Sequence, residues 1–332
     1  MTTPPNFSEL VQAFFTERLL RQRKASPETI AGYRDSFRLF LRFAEKRLKK
    51  EPSELVLKEL NASFIGEFLD HLESERANSV RTRNARLAAI HSFFRYVSFQ
   101  EPSCADLCRR ILAIPSKRYE RRPIEYLLRE EIDALVAAPD TSTWIGRRDQ
   151  VLLLVAIQTG LRVSELTGLQ RQDVTLGSGA HVRCKGKGRK QRCTPLRKEA
   201  VRLLVPWLRE CPSEPQAPIF PSSRGGALSR DAVERLVARH CQTAARRCPS
   251  LKRKTVTPHV LRHTAAMELL QHGIDRAVIA LWLGHESVET TQMYLHADLR
   301  LKEQAMSRIA PLDVKPRRYR PDDKLLAFLE DL

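Results

Sequence analysis

Six side chains in the second half of the 332-residue sequence, Arg162, Lys187, His259, Arg262, His285 and Tyr294, are of types that together can move a phosphoryl group. Two arginines can bracket a phosphate through paired N–H donors and neutralise charge as it grows toward a pentacoordinate transition state. Histidine can donate or accept a proton near neutral pH, and a lysine on a mobile hairpin can act as general acid for a departing alkoxide. Tyrosine, with an ordinary pKa of about 10, is a weak nucleophile and needs such a cationic setting to attack a phosphodiester. Taken singly, Tyr294 reads as a half-buried core tyrosine, His285 as a helix-end cap and Arg262 as a surface charge, so the weight lies in the set. A two-metal nuclease needs a compact Asp/Glu cluster, and none accompanies these residues. They therefore favour transfer through a phosphotyrosine, with neither metal nor cofactor.

The elements that must position these groups follow from caps and periodicity. Thr257 followed by Pro258 reads as a helix N-cap with proline at the first helical position. His259 and Arg262 then share one face, Val260, Leu261, Ala265, Leu269 and Leu270 can bury the other side, and the helix should stop near Gly273. A second helix is expected from Asp275 through Leu283, ended by Gly284, with His285 directly after it and a short helix from Glu289 to Tyr294. Upstream, Leu128–Ala138 and Thr143–Thr159 read as helices, with Gly160 capping the latter. Leu161 opens the next helix, where Glu165 shares a face with Arg162 and can orient its guanidinium. Alternation over Ala180–Cys184 and Arg192–Leu196 reads as a β-hairpin, its tip carrying Lys185, Lys187, Arg189 and Lys190 among glycines. That tip lacks the spacing of a nucleotide phosphate loop and opens no helix. Helices resume over Lys198–Glu210 and Ser229–Arg246.

Lys and Arg total 57 against 39 Asp and Glu, a net charge of +18 spread along the chain. Whole surfaces should be positive, and the natural partner is a polyanion, nucleic acid first. No apolar run approaches the ~18 residues of a spanning helix. No helix joins a basic face to an exposed aromatic one, and Met1–Pro5 lacks a secretory layout. The expectation is a cytoplasmic protein with no membrane partner. The cysteines, seven in number and without a CxxC pair, read as reduced structural thiols.

Residues 6 to 100 read as all helix. Phe14, Phe15 and Leu19 mark a first amphipathic segment, Ser26-Pro27-Glu28 opens a second, Asn61 or Ser63 a third, and Ser79 a fourth. On the fourth, Leu87, Ile90, Phe94 and Val97 form the apolar stripe, while Arg81, Arg83, Asn84, Arg86 and His91 lie opposite. A solvated face is the bland reading; the whole-chain charge favours a helix laid against DNA. Residues 101–124, with Pro102, Pro115 and Pro123 around a basic run that includes Lys117 and Arg118, read as an interdomain linker suited to following a phosphate backbone. A catalytic domain is expected over 125–312, then a basic connector and a short amphipathic helix within 313–332, too short to stand alone in water.

The segments Thr159–Leu166, Gly186-Lys187-Gly188, His259–Thr264 and Leu283-Gly284-His285 with Tyr294 resemble the tyrosine recombinase (phage integrase) family, in the order Arg…Lys…His-x-x-Arg…His…Tyr. The resemblance implies a mainly α fold with a small β-hairpin or sheet: a helical, SAM-like core-binding domain and a mixed α+β catalytic domain. It implies that Tyr294 attacks the scissile phosphate to leave a 3′-phosphotyrosine and a free 5′-hydroxyl. Arg162, Arg262 and His285 would stabilise the phosphorane with Glu165 in support, Lys187 would protonate the leaving oxygen, and His259 would assist proton transfer. It further implies double-stranded DNA as partner and a tetramer of like or related recombinases with a terminal helix docked in trans, whereas the pattern of the helix alone allows docking in cis or in trans. The long stretch after Tyr294 tilts the expectation toward a mobile-element integrase acting in integration or transposition. Chromosome dimer resolution, type IB topoisomerase-like relaxation and a non-catalytic DNA-binding accessory role are the alternatives.

Overall fold

Polar caps set where the helices of the first unit begin. The computed structural model describes residues 6–120, 124–186 and 191–284, and the chain divides into two units at Arg121. In the first, Asn6 caps α1 (Phe7–Ala13), which runs on as a π-helix through Phe14–Gln22. Ser26 caps α2 (Pro27–Leu48), Asn61 caps α3 (Ala62–Ser74) and Ser79 caps α4 (Val80–Gln100), each side chain accepting a backbone N–H of the first turn. Their apolar faces meet in a phenylalanine-rich core in which Phe14, Phe40, Phe68, Phe93 and Phe94 are fully buried, contacts worth about 1.5–3 kcal/mol per side chain.

Residues 101–114 depart from the expected linker. Ala105–Leu112 form a helix, α5, whose Cys108 and Ile111 are buried in that same core, and His91 of α4 bonds the carbonyl of Ile111 at 3.0 Å. Burial holds the Cys108 thiol up at about 11, an unreactive structural group. Leu107, Cys108 and Ile111 stand at helical spacing against that core, but so short a segment between Pro102 and Pro115 reads as a linker.

In the second unit, α6 (Arg129–Val136) and α7 (Trp144–Thr159) precede a five-residue helix, α8 (Val163–Thr167). A three-stranded antiparallel sheet follows in the order β1 (Val174–Thr175), β2 (His181–Lys185), β3 (Gln191–Pro195), with Cys184 opposite Arg192 and Lys185 opposite Gln191. The expected hairpin is β2–β3; β1, two residues long, gave no signal of its own. Then come α9 (Lys198–Glu210), α10 (Arg230–Ala244), α11 (Pro258–Gln271) and α12 (Arg276–Leu283). Fully buried Asp149 of α7 accepts hydrogen bonds from Arg148, Arg239 and His240, fastening α7 to α10.

Helix α11 departs from the one-sided pattern expected of it. Val260 through Met267 are buried without interruption, because α7, α10 and α12 all pack on it. It ends with Gly273 at φ 76°, as its sequence predicts, and the Ile274 N–H reaches back to the Leu269 carbonyl. Ala266, Met267 and Leu270 of α11 form a small core with Ile279 and Leu283 of α12. Among the described residues no helix is long and apolar enough to cross a membrane.

Candidate active site

Two left-handed glycines bring the candidate arginines to one place. Gly160 (φ 62°) ends α7 and turns the chain so that Arg162 stands at the N-cap of α8. Gly284 (φ 65°) ends α12. A Cβ on Gly160 would lie 2.5 Å from Leu283 Cδ2, so the two turns press against each other and only glycine fits.

Arg262, 3% exposed, reaches out of α11 to donate to the Gly160 carbonyl (2.6 Å) and the Leu283 carbonyl (2.7 Å). Arg162 Nη2 donates to the Gly284 carbonyl (3.0 Å), and its Nη1 to Glu165 Oε1 (3.0 Å). The Arg162 backbone N–H donates to Glu165 Oε2 (2.8 Å), the capping-box bond that starts α8. Two guanidinium groups from different helices are thereby fixed on the carbonyl end of α12, where the helix dipole favours positive charge. With 35% of its side chain exposed, Arg162 is the more open of the two.

Glu165 is buried, and burial alone would raise its pKa. Side-chain hydrogen bonds from Arg192, the Arg162 backbone N–H and both nearby charges outweigh that and hold the carboxyl below its usual value. Arg192, on β3, was not among the residues singled out from sequence. Its Nη1 and Nη2 grip Glu165 Oε1 and Oε2 at 2.9 and 2.8 Å, and its Nε donates to the Trp282 carbonyl at 3.1 Å. The signal was the strand's own alternation, which turns Arg192 inward with buried Thr194 and Leu196.

His259 is exposed at the start of α11, its ring 4.2 Å from that of buried His263. The Lys185 backbone closes β2, while Lys187, Arg189, Lys190, His285, Tyr294 and the tail 313–332 lie outside the described residues. His285 follows Gly284 directly in the chain, so its attachment point is the turn that the arginines hold. Among the described residues no group of three His, Cys, Asp or Glu side chains could hold a metal ion.

The expected DNA-facing row on α4 divides. Arg81 is exposed, and so is Arg118 beyond α5. Arg83 turns inward, 6% exposed, to bond Asn84 and the Pro115 carbonyl, both at 3.1 Å. Asn84 pairs with the Lys117 backbone in both directions (2.8 and 3.1 Å), and Lys117 Nζ meets Glu73. Arg86 donates to Ser36 Oγ at 3.0 Å. Helical spacing put these side chains opposite the apolar stripe, but the chain from Pro115 to Lys117 and helix α2 cover much of that side.

Residues 125–300 match the phage integrase family, and residues 13–100 match the N-terminal SAM-like domain of phage integrases. The chain is 55% identical to y4rC of Sinorhizobium fredii, named as an integrase/recombinase, over the whole of both chains. It is 35% identical to the tyrosine recombinase XerC of Pelobacter propionicus, covering 86% of this chain and 90% of that one. The crystal structure of the XerH site-specific recombinase on a palindromic difH substrate, a post-cleavage complex, superposes with a TM-score of 0.69 at 25% identity, over 90% of this chain and 84% of that one.

Proposed function

Because the chain belongs to the phage integrase family of tyrosine recombinases, and so is a site-specific recombinase and DNA strand transferase, we propose that Tyr294 is its nucleophile and double-stranded DNA its substrate. The Tyr294 oxygen attacks the scissile phosphorus, the bond to the 5′-oxygen breaks, and a 3′-phosphotyrosine forms. Lys187 gives the leaving oxygen its proton, and His259 assists proton transfer. Arg162, Arg262 and His285 carry the charge of the phosphorane. Attack by a 5′-hydroxyl from the partner strand reverses these steps and frees Tyr294. The sum is isoenergetic strand exchange, which needs no nucleotide hydrolysis. The observation that carries this reading is the pair of guanidinium groups donating to consecutive carbonyls, Leu283 and Gly284, immediately before His285.

The same reading has recombinase subunits, like or related, working as a tetramer on two paired sites in the cytoplasm, for a mobile element. The full-length similarity to y4rC, named as an integrase/recombinase, supports an integrase role; the XerC relative is compatible with chromosome dimer resolution as the second reading. Exposed Arg81 and Arg118, with Lys185, Arg189 and Lys190 of the hairpin, are the candidate phosphate contacts.

Nicked duplexes from the DNA flanking the gene, incubated with protein and EDTA, test the chemistry on denaturing gels. A covalent adduct is expected, kept by Tyr319→Phe and lost in Tyr294→Phe. An adduct that survives Tyr294→Phe overturns the nucleophile. Recombination of paired element ends, set against paired chromosomal dimer-resolution sites, separates the two biological readings.

A further inference from the structure

We propose that Arg192 is a positioning residue for strand cleavage: by occupying both oxygens of Glu165 it keeps the Arg162 guanidinium from folding onto that carboxylate, and it braces the end of α12 beside it. This deepens the reading of Arg162 as a phosphate ligand and rests on it.

Arginine presents its donors in a planar fork that matches a carboxylate edge to edge. Next to Arg162, Glu165 could accept such a two-point pairing, which would draw Arg162 Nη2 away from Gly284. The structure shows another arrangement. Arg192 makes the two-point pairing, at 2.9 and 2.8 Å, and Arg162 is left a single side-chain bond to Oε1 at 3.0 Å. The rest of the Arg162 fork is directed to the Gly284 carbonyl and the open side. Arg192 commits one N–H from each of Nε, Nη1 and Nη2 to Trp282 and Glu165, and its side chain is only 12% exposed.

The brace is steric as well as polar. A Cβ on Gly284 would sit 2.7 Å from Arg192 Nη1 and 3.0 Å from its Cζ, so the turn that leads to His285 lies directly on this side chain. One residue of β3 therefore touches the carboxylate that holds Arg162 and the backbone that carries the chain to His285. A lysine keeps the charge but cannot span two carboxylate oxygens and a carbonyl at once.

The test compares full-length wild type, Arg192→Lys, Arg162→Lys and the double variant on nicked duplexes, with either the natural phosphodiester or a methylphosphonate at the scissile position. The methylphosphonate replaces a charged non-bridging oxygen with methyl, so its phosphorane asks less of Arg162. Arg192→Lys should lower the cleavage rate at saturating protein about 100-fold on the phosphodiester, with DNA affinity within about threefold of wild type. The deficit should shrink to under about tenfold on the methylphosphonate, in step with Arg162→Lys, and the double variant should be no slower than Arg162→Lys alone. Wild-type cleavage by Arg192→Lys overturns the proposal, as does an equal deficit on both substrates, which would mark a merely structural side chain. If Arg162→Lys itself shows no dependence on phosphate charge, the underlying reading of Arg162 falls instead.

Discussion

Arg83 in the first unit and Arg262 in the second are 6% and 3% exposed, and each spends its guanidinium on backbone carbonyls: Pro115 for one, Gly160 and Leu283 for the other. What those carbonyls belong to separates the two. Pro115 lies on the passing chain after α5, so Arg83, with Asn84, fastens a segment to the side of α4. Gly160 and Leu283 belong to two helix-ending turns pressed together, and Arg162 and Arg192 add bonds to the adjacent Gly284 and Trp282 carbonyls. The first arrangement closes a surface. The second stacks positive charge at a single helix end, where a phosphate can be met by donors already in position. Burial of arginine is thus not itself what distinguishes the candidate site; convergence is.

Arg262→Ala strikes hardest at that convergence. It removes the donors to Gly160 and Leu283 in a dry interior, so urea denaturation should show a loss on the order of 3 kcal/mol. Cleavage of nicked duplex should fall at least about 1,000-fold. A rate within tenfold of wild type would mean that the converging arginines are only a fastening, like Arg83.

Glu165→Gln weakens the same cluster in a pH-dependent way. The folded-state pKa of Glu165 lies below the ordinary 4.5, so its ionised form stabilises the fold above that value, and the gain is lost as pH falls through the folded-state pKa. The gap between wild type and Glu165→Gln should be about 3 kcal/mol at neutral pH. It should narrow once pH drops below 4.5, read from urea midpoints over a pH series. A gap that widens in acid would refute the ion-pair account.

The smallest effects sharpen the other side of the comparison. Arg83→Met should cost about 1–2 kcal/mol of stability and leave DNA affinity unchanged. Exposed Arg81→Ala should leave melting unchanged, weaken duplex binding, and reduce the slope of log affinity against log salt by about one unit. If Arg83→Met flattens the salt slope and Arg81→Ala does not, the two roles are reversed.

Much of the framework was legible because caps are local. Ser26, Asn61, Ser79, Thr143, Ser229, Thr257 and Asp275 each bond a first-turn N–H within three residues, and Gly160 and Gly284 close α7 and α12 from the positions their sequence marks. The Arg162–Glu165 pair was equally local, one turn of one helix. Helix α5 was hidden because its two turns lie between prolines that read as breaks, and β1 because two residues do not make an alternation.

The sequence by itself determined which residue types are present, the order in which they recur, and the caps and periods that start and stop most helices, since all of these act between neighbours along the chain. Only the tertiary structure decided that Arg83 turns inward while Arg81 stays open, that α11 is buried without interruption from Val260 to Met267, and that Arg192 joins Glu165 to the end of α12. Those outcomes depend on partners 21 to 102 residues away in the chain, as with Arg262 and the carbonyls of Leu283 and Gly160, and no local pattern encodes which distant carbonyl will be within reach.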